Sequence, residues 1–249
     1  MRSVRNRILF FLLCITAFSP ALQACQLTVS SIDFKPIYWQ EKGEIRGINR
    51  DFYAHIGKQI GCDMHFEIAP WNRVIRGLKL GKVDIITAFH SADRERFAHF
   101  SQQPISEVAF YLYSLQSDDK FASLDAFFTT SQTLLYPKNW HLGGLKAQLQ
   151  GYPQQAIGVD SLQQGITLLL NDRASALLSS QSGMQTALRG RELEHQIQIS
   201  SAKLSNRPIY TLFSKKSVDL ARYHRLDNAI QAALANGVME DLKAKYAVD

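Results

Sequence analysis

Apolar and polar positions along this chain change period several times, and each change marks an element. From Asn49 to Ile60 the residues Phe52, Ile56 and Ile60 recur every fourth position, the spacing of one helix face. Trp71 to Leu80 repeats the pattern with Val74, Ile75 and Leu78. Around these helices lie short strand-like runs: Gln26 to Ile32, Asp63 to Ile68 and the fully apolar Ile85 to Ala88. Strands alternating with helices predict a parallel sheet. The strongly apolar run Val108 to Leu115 then carries the chain out of this first unit. A second alternating series follows, with strands Thr133 to Tyr136, Gln155 to Val159 and Ser175 to Ser179 and helices Leu142 to Leu149, Leu162 to Leu170 and Gly183 to Leu188. Strand Pro208 to Phe213 returns the chain, and helices Val218 to Ala235 and Met239 to Tyr246 complete the first unit. Two crossings imply two lobes, a two-segment hinge and a cleft between them.

The stretch Pro70 to Ser101 carries the sharpest chemical signal. It reads as helix, tight turn, buried strand, then a short polar loop opening a second helix. A charged loop at the carboxyl end of a strand is where open α/β sheets receive small ligands. Arg94 sits in that expected first turn, so its guanidinium fork is available to a carboxylate or similar anion. The competing reading pairs Arg94 with Asp93 or Glu95 on a solvated helix face.

The first residues bear on the compartment. Arg2, Arg5 and Arg7 precede an apolar run from Ile8 to Phe18, then Pro20 and Leu22-Gln23-Ala24, the layout of a secretory signal over residues 1–24. Cleavage after Ala24 is the expectation; the alternative is a lipoprotein-type cut before Cys25. Cys14 leaves with the signal, and Cys25 and Cys62 remain as an even pair. Each begins a predicted strand, and in a βαβ unit those strands run parallel as neighbours. A disulfide closing a loop of about 37 residues would then stabilise by about 4 kcal/mol in the chain-entropy model. Diacylated Cys25, or two unpaired buried thiols, are the alternatives.

The formal charge of +6 includes the three signal arginines. The exported chain keeps about +3, too modest to imply nucleic acid. With 46% hydrophobic residues it can bury a substantial core. The seven histidines form no H-x-x-x-H or H-E-x-x-H pattern, and neither G-x-S-x-G nor a phosphate-cradling glycine loop occurs. No metal, cofactor or catalytic residue is expected.

These residues resemble a known family. Leu78, Gly81 and Asp84, then the strand Ile85 to Ala88, Asp93-Arg94 and Phe100-Ser101 are similar to the L-x-x-G-x-x-D, E-R and F-S pieces of periplasmic solute-binding proteins, family 3, the amino-acid type that serves ABC transporters. Gly43, Gly47, Asp51 and Gly61 resemble its G-x-x-x-G-x-x-x-D and helix-closing turn, and Leu234, Asn236, Gly237, Lys243 and Tyr246 its closing helix pair. The resemblance implies an α/β fold of the two-lobed type II periplasmic binding class, each lobe a mostly parallel sheet flanked by helices. Residues 25–108 and 209–249 would form lobe 1, and 109–208 lobe 2. It implies a periplasmic monomer that closes on an anionic or zwitterionic small molecule and is read by an ABC permease or membrane sensor, without catalysis. Carried over by position, the ligand would meet Phe34, Thr87, Phe89, Arg94, Asn139, Trp140, His141 and Ser180, with Trp71 and Arg73 near the cleft. Tyr38 and Trp39 either line the cleft mouth or cap the core. Two departures stand out: Phe89 replaces a small hydroxyl residue, and Ser180 replaces the acid that receives an α-ammonium. A buried ammonium facing only hydroxyls is poorly compensated, which argues against a standard free α-amino acid. Other readings are a partner-binding module with a degenerate cleft, and an enzyme similar to cyclohexadienyl dehydratase.

Overall fold

Nearly every apolar run forms the element its spacing predicts, with ends shifted by one to three residues. The computed structural model describes residues 25–115, 123–140, 142–189, 193 and 195–246; residues 1–24, read above as a signal, and His141 fall outside them. The first series comprises β1 (Cys25–Ser31), β2 (Trp39–Glu41), β3 (Glu44–Arg46), α1 (Ile48–Ile60), β4 (Cys62–Ile68), α2 (Trp71–Leu80), β5 (Ile85–Phe89), α3 (Ala92–Glu95) and β6 (Ala98–Phe100). After β7 (Ser106–Ser114) come α4 (Leu124–Phe128), β8 (Leu134–Pro137), α5 (Gly144–Gln150), β9 (Ala156–Val159), α6 (Leu162–Leu170), β10 (Ala176–Ser180), α7 (Gln181–Leu188) and β11 (Gln198–Ile199). The long β12 (Ser205–Ser214) leads into α8 (Leu220–Ala235) and α9 (Val238–Lys245).

Among the described residues one mixed sheet runs β4-β1-β5-β12-β7-β10-β8-β9, with β6 added to β12 and β11 to β7. Its two ends are parallel triplets, β4-β1-β5 and β10-β8-β9. The antiparallel pair β12 and β7 joins them: β12 pairs with β5 over Ile209–Phe213 and with β7 over Ser205–Ile209. These two strands are the predicted crossings, each longer than its apolar run because its polar end reaches into the other lobe.

Adjacent apolar residues on the central strands serve opposite faces, which is why the runs do not alternate. Ile85 and Phe213 pack with Phe52, Ile56, Leu226 and Ile230 under α1 and α8. Ile86 and Leu212 pack with Val74 and Leu78 of α2 on the other side. In the second lobe Leu134 and Leu178 join one core, Leu135 and Leu177 another. Each such side chain contributes about 1.5–3 kcal/mol by burial.

Cys25 and Cys62 face each other in the β1–β4 ladder and are joined, with Sγ atoms 2.01 Å apart and Cα atoms 4.6 Å apart. The disulfide is therefore realised, rather than a diacylated Cys25 or a pair of free thiols.

Two features depart from the sequence reading, and a third decides between its alternatives. The β2–β3 hairpin is too short to leave a periodic signal; its two-residue turn, Lys42-Gly43, has φ of 51° and 86°, the mirror-image turn that matches strand twist. The expected second helix after β5 is the single turn α3, after which the chain leaves to form β6 on β12. Tyr38 and Trp39 cap the core and do not line a cleft mouth: Tyr38 Oη donates to Val29 O at 3.1 Å, and Trp39, 8% exposed, meets the Tyr246 ring edge-on at 5.6 Å.

The carboxyl-terminal helix is latched to α1 through Asp51. Its carboxylate accepts from Lys245 Nζ at 2.6 Å, Tyr246 Oη at 2.9 Å and Arg50 Nη1 at 3.1 Å. Burial alone would raise this carboxyl, but those donors outweigh it and hold it below 3.8. A depressed acid contributes stability that is present above its unfolded value and lost as pH falls through its folded one. Asp51→Asn is expected to lower the melting temperature at pH 7 by about 2–4 °C, the shift that about 1 kcal/mol produces. The gap should close in melts run at progressively lower pH below 3.8; a gap that persists at acid pH would rule the latch out.

Candidate functional site

The carboxyl end of β5 gathers the site. Arg94, in α3, turns back over the strand it follows: its Nη1 donates to Phe89 O at 2.5 Å, and its guanidinium carbon lies 5.5 Å from the centre of the Trp71 ring. The neighbouring acids do not take it. Asp93 pairs with Arg96, and Glu95 lies 2.7 Å from His90. The geometry thus departs from the reading in which Arg94 pairs with Asp93 or Glu95. No carboxylate of the described residues pairs with Arg94, which is partly buried. Burial first, and then the nearby charge of Arg207, pull its guanidinium below the ordinary value.

Arg207 is the residue that sequence reasoning missed. It lies on β12 opposite Val108 of β7, with its guanidinium 4.1 Å from the centre of the Phe89 ring. The sequence places the start of this strand at Pro208, three residues after its observed start at Ser205, which puts Arg207 in a loop. The available signal was a cation at the mouth of a predicted crossing.

Thr87 is turned inward. Its hydroxyl accepts from Asn49 Nδ2 at 3.3 Å and lies 2.9 Å from Tyr53 Oη, which lies 2.8 Å from Thr211 Oγ1. Burial pushes the Tyr53 phenol up to about 12, against the hydrogen bonds to Thr211 and Thr87. The network ties α1, β5 and β12 together at a position two residues before Phe89 in β5.

From the second lobe, Ser180 caps α7: its Oγ accepts from the Gly183 N–H at 3.1 Å. Trp140 covers this helix start, and a Cβ at Gly183 would come within 2.7 Å of both the Trp140 ring and Ser180 Oγ, so this close approach requires glycine. The Ser180 hydroxyl is thus already engaged. Across the cleft, Thr186 Oγ1 of α7 lies 3.0 Å from Lys35 O and 2.7 Å from Ser182 O, its single proton shared between the two carbonyls, beside Phe34, whose backbone bridges to Tyr38. Asn139 and Arg73 are exposed, and Arg73 has no ion pair among the described residues. The cation that accompanies Arg94 is Arg207 rather than Arg73.

A separate hollow of about 740 Å³ lies between the β2–β3 hairpin and the carboxyl-terminal helix, lined by Trp39, Arg46, Arg50, Asp51, Lys245 and Tyr246. Its charges are matched internally, Asp51 with Arg50 and Lys245, Arg46 with Glu41 and Glu44. It therefore makes a poorer case for an ionic ligand than Arg94 does. Among the described residues no group of three His, Cys, Asp or Glu could hold a metal ion, and no helix is long and apolar enough to cross a membrane.

Comparison with known proteins agrees with this architecture. The model of the bacterial extracellular solute-binding proteins, family 3, matches residues 27–249. A probable amino-acid ABC transporter extracellular-binding protein from Bacillus subtilis superposes with a TM-score of 0.74 at 18% identity, over 91% of this chain and 99% of that one. A histidine kinase sensor domain similar to periplasmic binding proteins gives 0.70 at 15%, over 90% and 96%. An amino acid ABC transporter substrate-binding protein from Streptococcus pneumoniae, bound to L-arginine, gives 0.65 at 15%, over 89% and 94%. At these identities the likeness is one of fold. No curated relative matches the chain by sequence.

Proposed function

The chain belongs to the bacterial extracellular solute-binding proteins, family 3, and from that premise we propose that it captures a small polar, carboxylate-bearing molecule between its lobes. The carrying observation is Arg94: a partly desolvated guanidinium fork, held by a backbone carbonyl and an indole face, with the flanking acids paired elsewhere. A ligand carboxylate or similar anion completes what the protein leaves open. Trp71 and Phe89 would flank it from lobe 1 (25–108 and 209–249), and Trp140 and the start of α7 from lobe 2 (109–208). A molecule that touches both lobes binds the closed form best, so binding shifts the population toward closure. An ABC permease or a membrane sensor then reads the closed monomer in the periplasm, after removal of residues 1–24. No step requires chemistry, and Ser179 and Ser180 offer no acid for a dehydratase.

The histidine kinase sensor domain with this fold favours sensing as the second reading of the same closure. Binding is tested by thermal-shift screening of the oxidised protein against amino acids, small carboxylates, oligopeptides and phosphorylated metabolites. A ligand at a hundred times its Kd is expected to add about 2.7 kcal/mol, roughly 5–10 °C. If no compound moves the melting temperature, the cleft is not a solute site and a protein-partner role replaces this one.

A further inference from the structure

The charge of about +3 that remains after export is not spread evenly. Residues 71–82, which are α2 and its turn, hold four cations and no acid, and residues 215–225 hold four cations and one acid. These two segments alone are more positive than the whole exported chain, so the rest of it is net negative. The fold brings them together. A Cβ at Gly81, which closes α2, would stand 3.2 Å from Lys216 Cβ, and Ser214 N donates to Asp84 O at 2.9 Å. Lys79, Lys82, Lys215 and Lys216 are exposed there, and none pairs with a carboxylate among the described residues. Lys79 and Lys215 meet neutral groups instead, the Phe97 ring at 5.9 Å and Glu95 O. The acids within reach are engaged by backbone, Asp84 by Thr28 N and Asp219 by Arg222 N.

A lysine in the last turn of a helix complements its dipole, which accounts for Lys79 but not for the other three. Nor does it account for the apolar residues among them. Leu80, next to Lys79, is 42% exposed, and Leu220, four residues after Lys216, is 60% exposed. β1, β4 and β5 run parallel, with their amino ends at this pole and their carboxyl ends toward Phe89 and Arg94. β1 starts at Cys25, so residues 1–24, read above as a signal, join the fold at the same pole. We propose that this pole docks on the surface of an anionic lipid bilayer, with the lysines against headgroups and Leu80 and Leu220 in the interface. Unpaired lysines interleaved with bare leucines suit a surface that is acidic outside and apolar just beneath. This is also the end of the fold held nearest the membrane until the signal is removed. Adsorption here leaves the cleft turned away from the bilayer and open to solute.

The test is co-sedimentation of the oxidised protein without residues 1–24, which removes insertion by the signal itself. The vesicles are phosphatidylcholine alone and phosphatidylcholine with phosphatidylglycerol. At low ionic strength the anionic vesicles are expected to bind about tenfold tighter or more, an advantage that about 0.5 M salt removes. Lys82→Glu with Lys216→Glu should abolish it, and Leu220→Ser should weaken binding several-fold while keeping the lipid preference. Arg173→Glu with Lys203→Glu changes the net charge equally at exposed sites of the second lobe and should leave affinity within about threefold. Melting temperatures check that each variant folds, and the lipid and salt dependence of the unaltered protein tests the inference without any variant. Equal binding to both vesicle types, or equal loss in both double variants, overturns it. If neither vesicle binds and polyglutamate does through the same lysines, the pole is a face for an acidic protein and the membrane inference falls. None of these outcomes touches the cleft reading, which the thermal-shift screen tests separately.

Discussion

Replacing Arg94 by alanine is expected to weaken ligand binding in the cleft by about a hundredfold or more, with little change in the unliganded fold. Truncating one partner of a desolvated, hydrogen-bonded charge pair costs about 2–5 kcal/mol, and about 2.8 kcal/mol is a hundredfold in Kd. Within the protein the same side chain makes one hydrogen bond to Phe89 O and one contact with the Trp71 ring. Losing those should lower the unliganded melting temperature by only about 2–4 °C. Titration of wild type and Arg94→Ala with the best compound from the thermal-shift screen separates the two effects. Equal affinities would remove Arg94 from the site. A guanidinium stays charged throughout the working range of pH. Any pH dependence of binding between about pH 5 and 9 therefore reports the ligand rather than this receptor group.

The second large effect is expected at the opposite ends of the first lobe's strands. Changing both Cys25 and Cys62 to serine removes a cross-link that closes a loop of 37 residues. The chain-entropy model gives a loss of about 4 kcal/mol, or about 8–16 °C in melting temperature. Reductant should lower the wild-type melt by a similar amount and leave the double variant where it is. Ligand affinity should hardly move, because the disulfide joins the amino ends of β1 and β4 while Phe89 and Arg94 lie beyond the carboxyl end of β5, which runs parallel to them. A melting temperature insensitive to both treatments would mean that the cross-link adds nothing to the fold.

The lobes were legible because their strands are buried on both faces. Pairs such as Ile85-Ile86 and Leu134-Leu135 leave short unbroken apolar runs, which their length and the turn residues around them mark as strands. Arg94 was legible as a candidate by its place after such a strand. What spacing does not encode is the direction of a side chain. Thr87 and Ser180 are hydroxyl residues at strand ends, as a ligand site would want. Yet one hydroxyl is taken by Tyr53 and Asn49 and the other by the first turn of α7. Arg207 escaped for the complementary reason: only the pairing of β12 with β5 and β7 brings it to Phe89, and that pairing joins residues far apart in sequence. The hairpin β2–β3 was lost to brevity, three residues a strand being too few for a period.

The place of β12 also governs the order in which this protein can form. β5 lies between β1 and β12, and β7 between β12 and β10, so the β4-β1-β5 triplet lacks its inner neighbour, and β7 its second one, until residues 205–214 arrive. A chain delivered amino end first carries two unfinished sheets, with β5 and β7 presenting open edges, until most of its length has emerged. Loop closure between β5 and β12 is then met in one late step. The joining of the two halves of the sheet is accordingly a late event, although β7, β10, β8 and β9 can pair before it. Until it occurs, the exposed edges of β5 and β7 are where a neighbouring copy can pair wrongly, and where a holding chaperone would do most good.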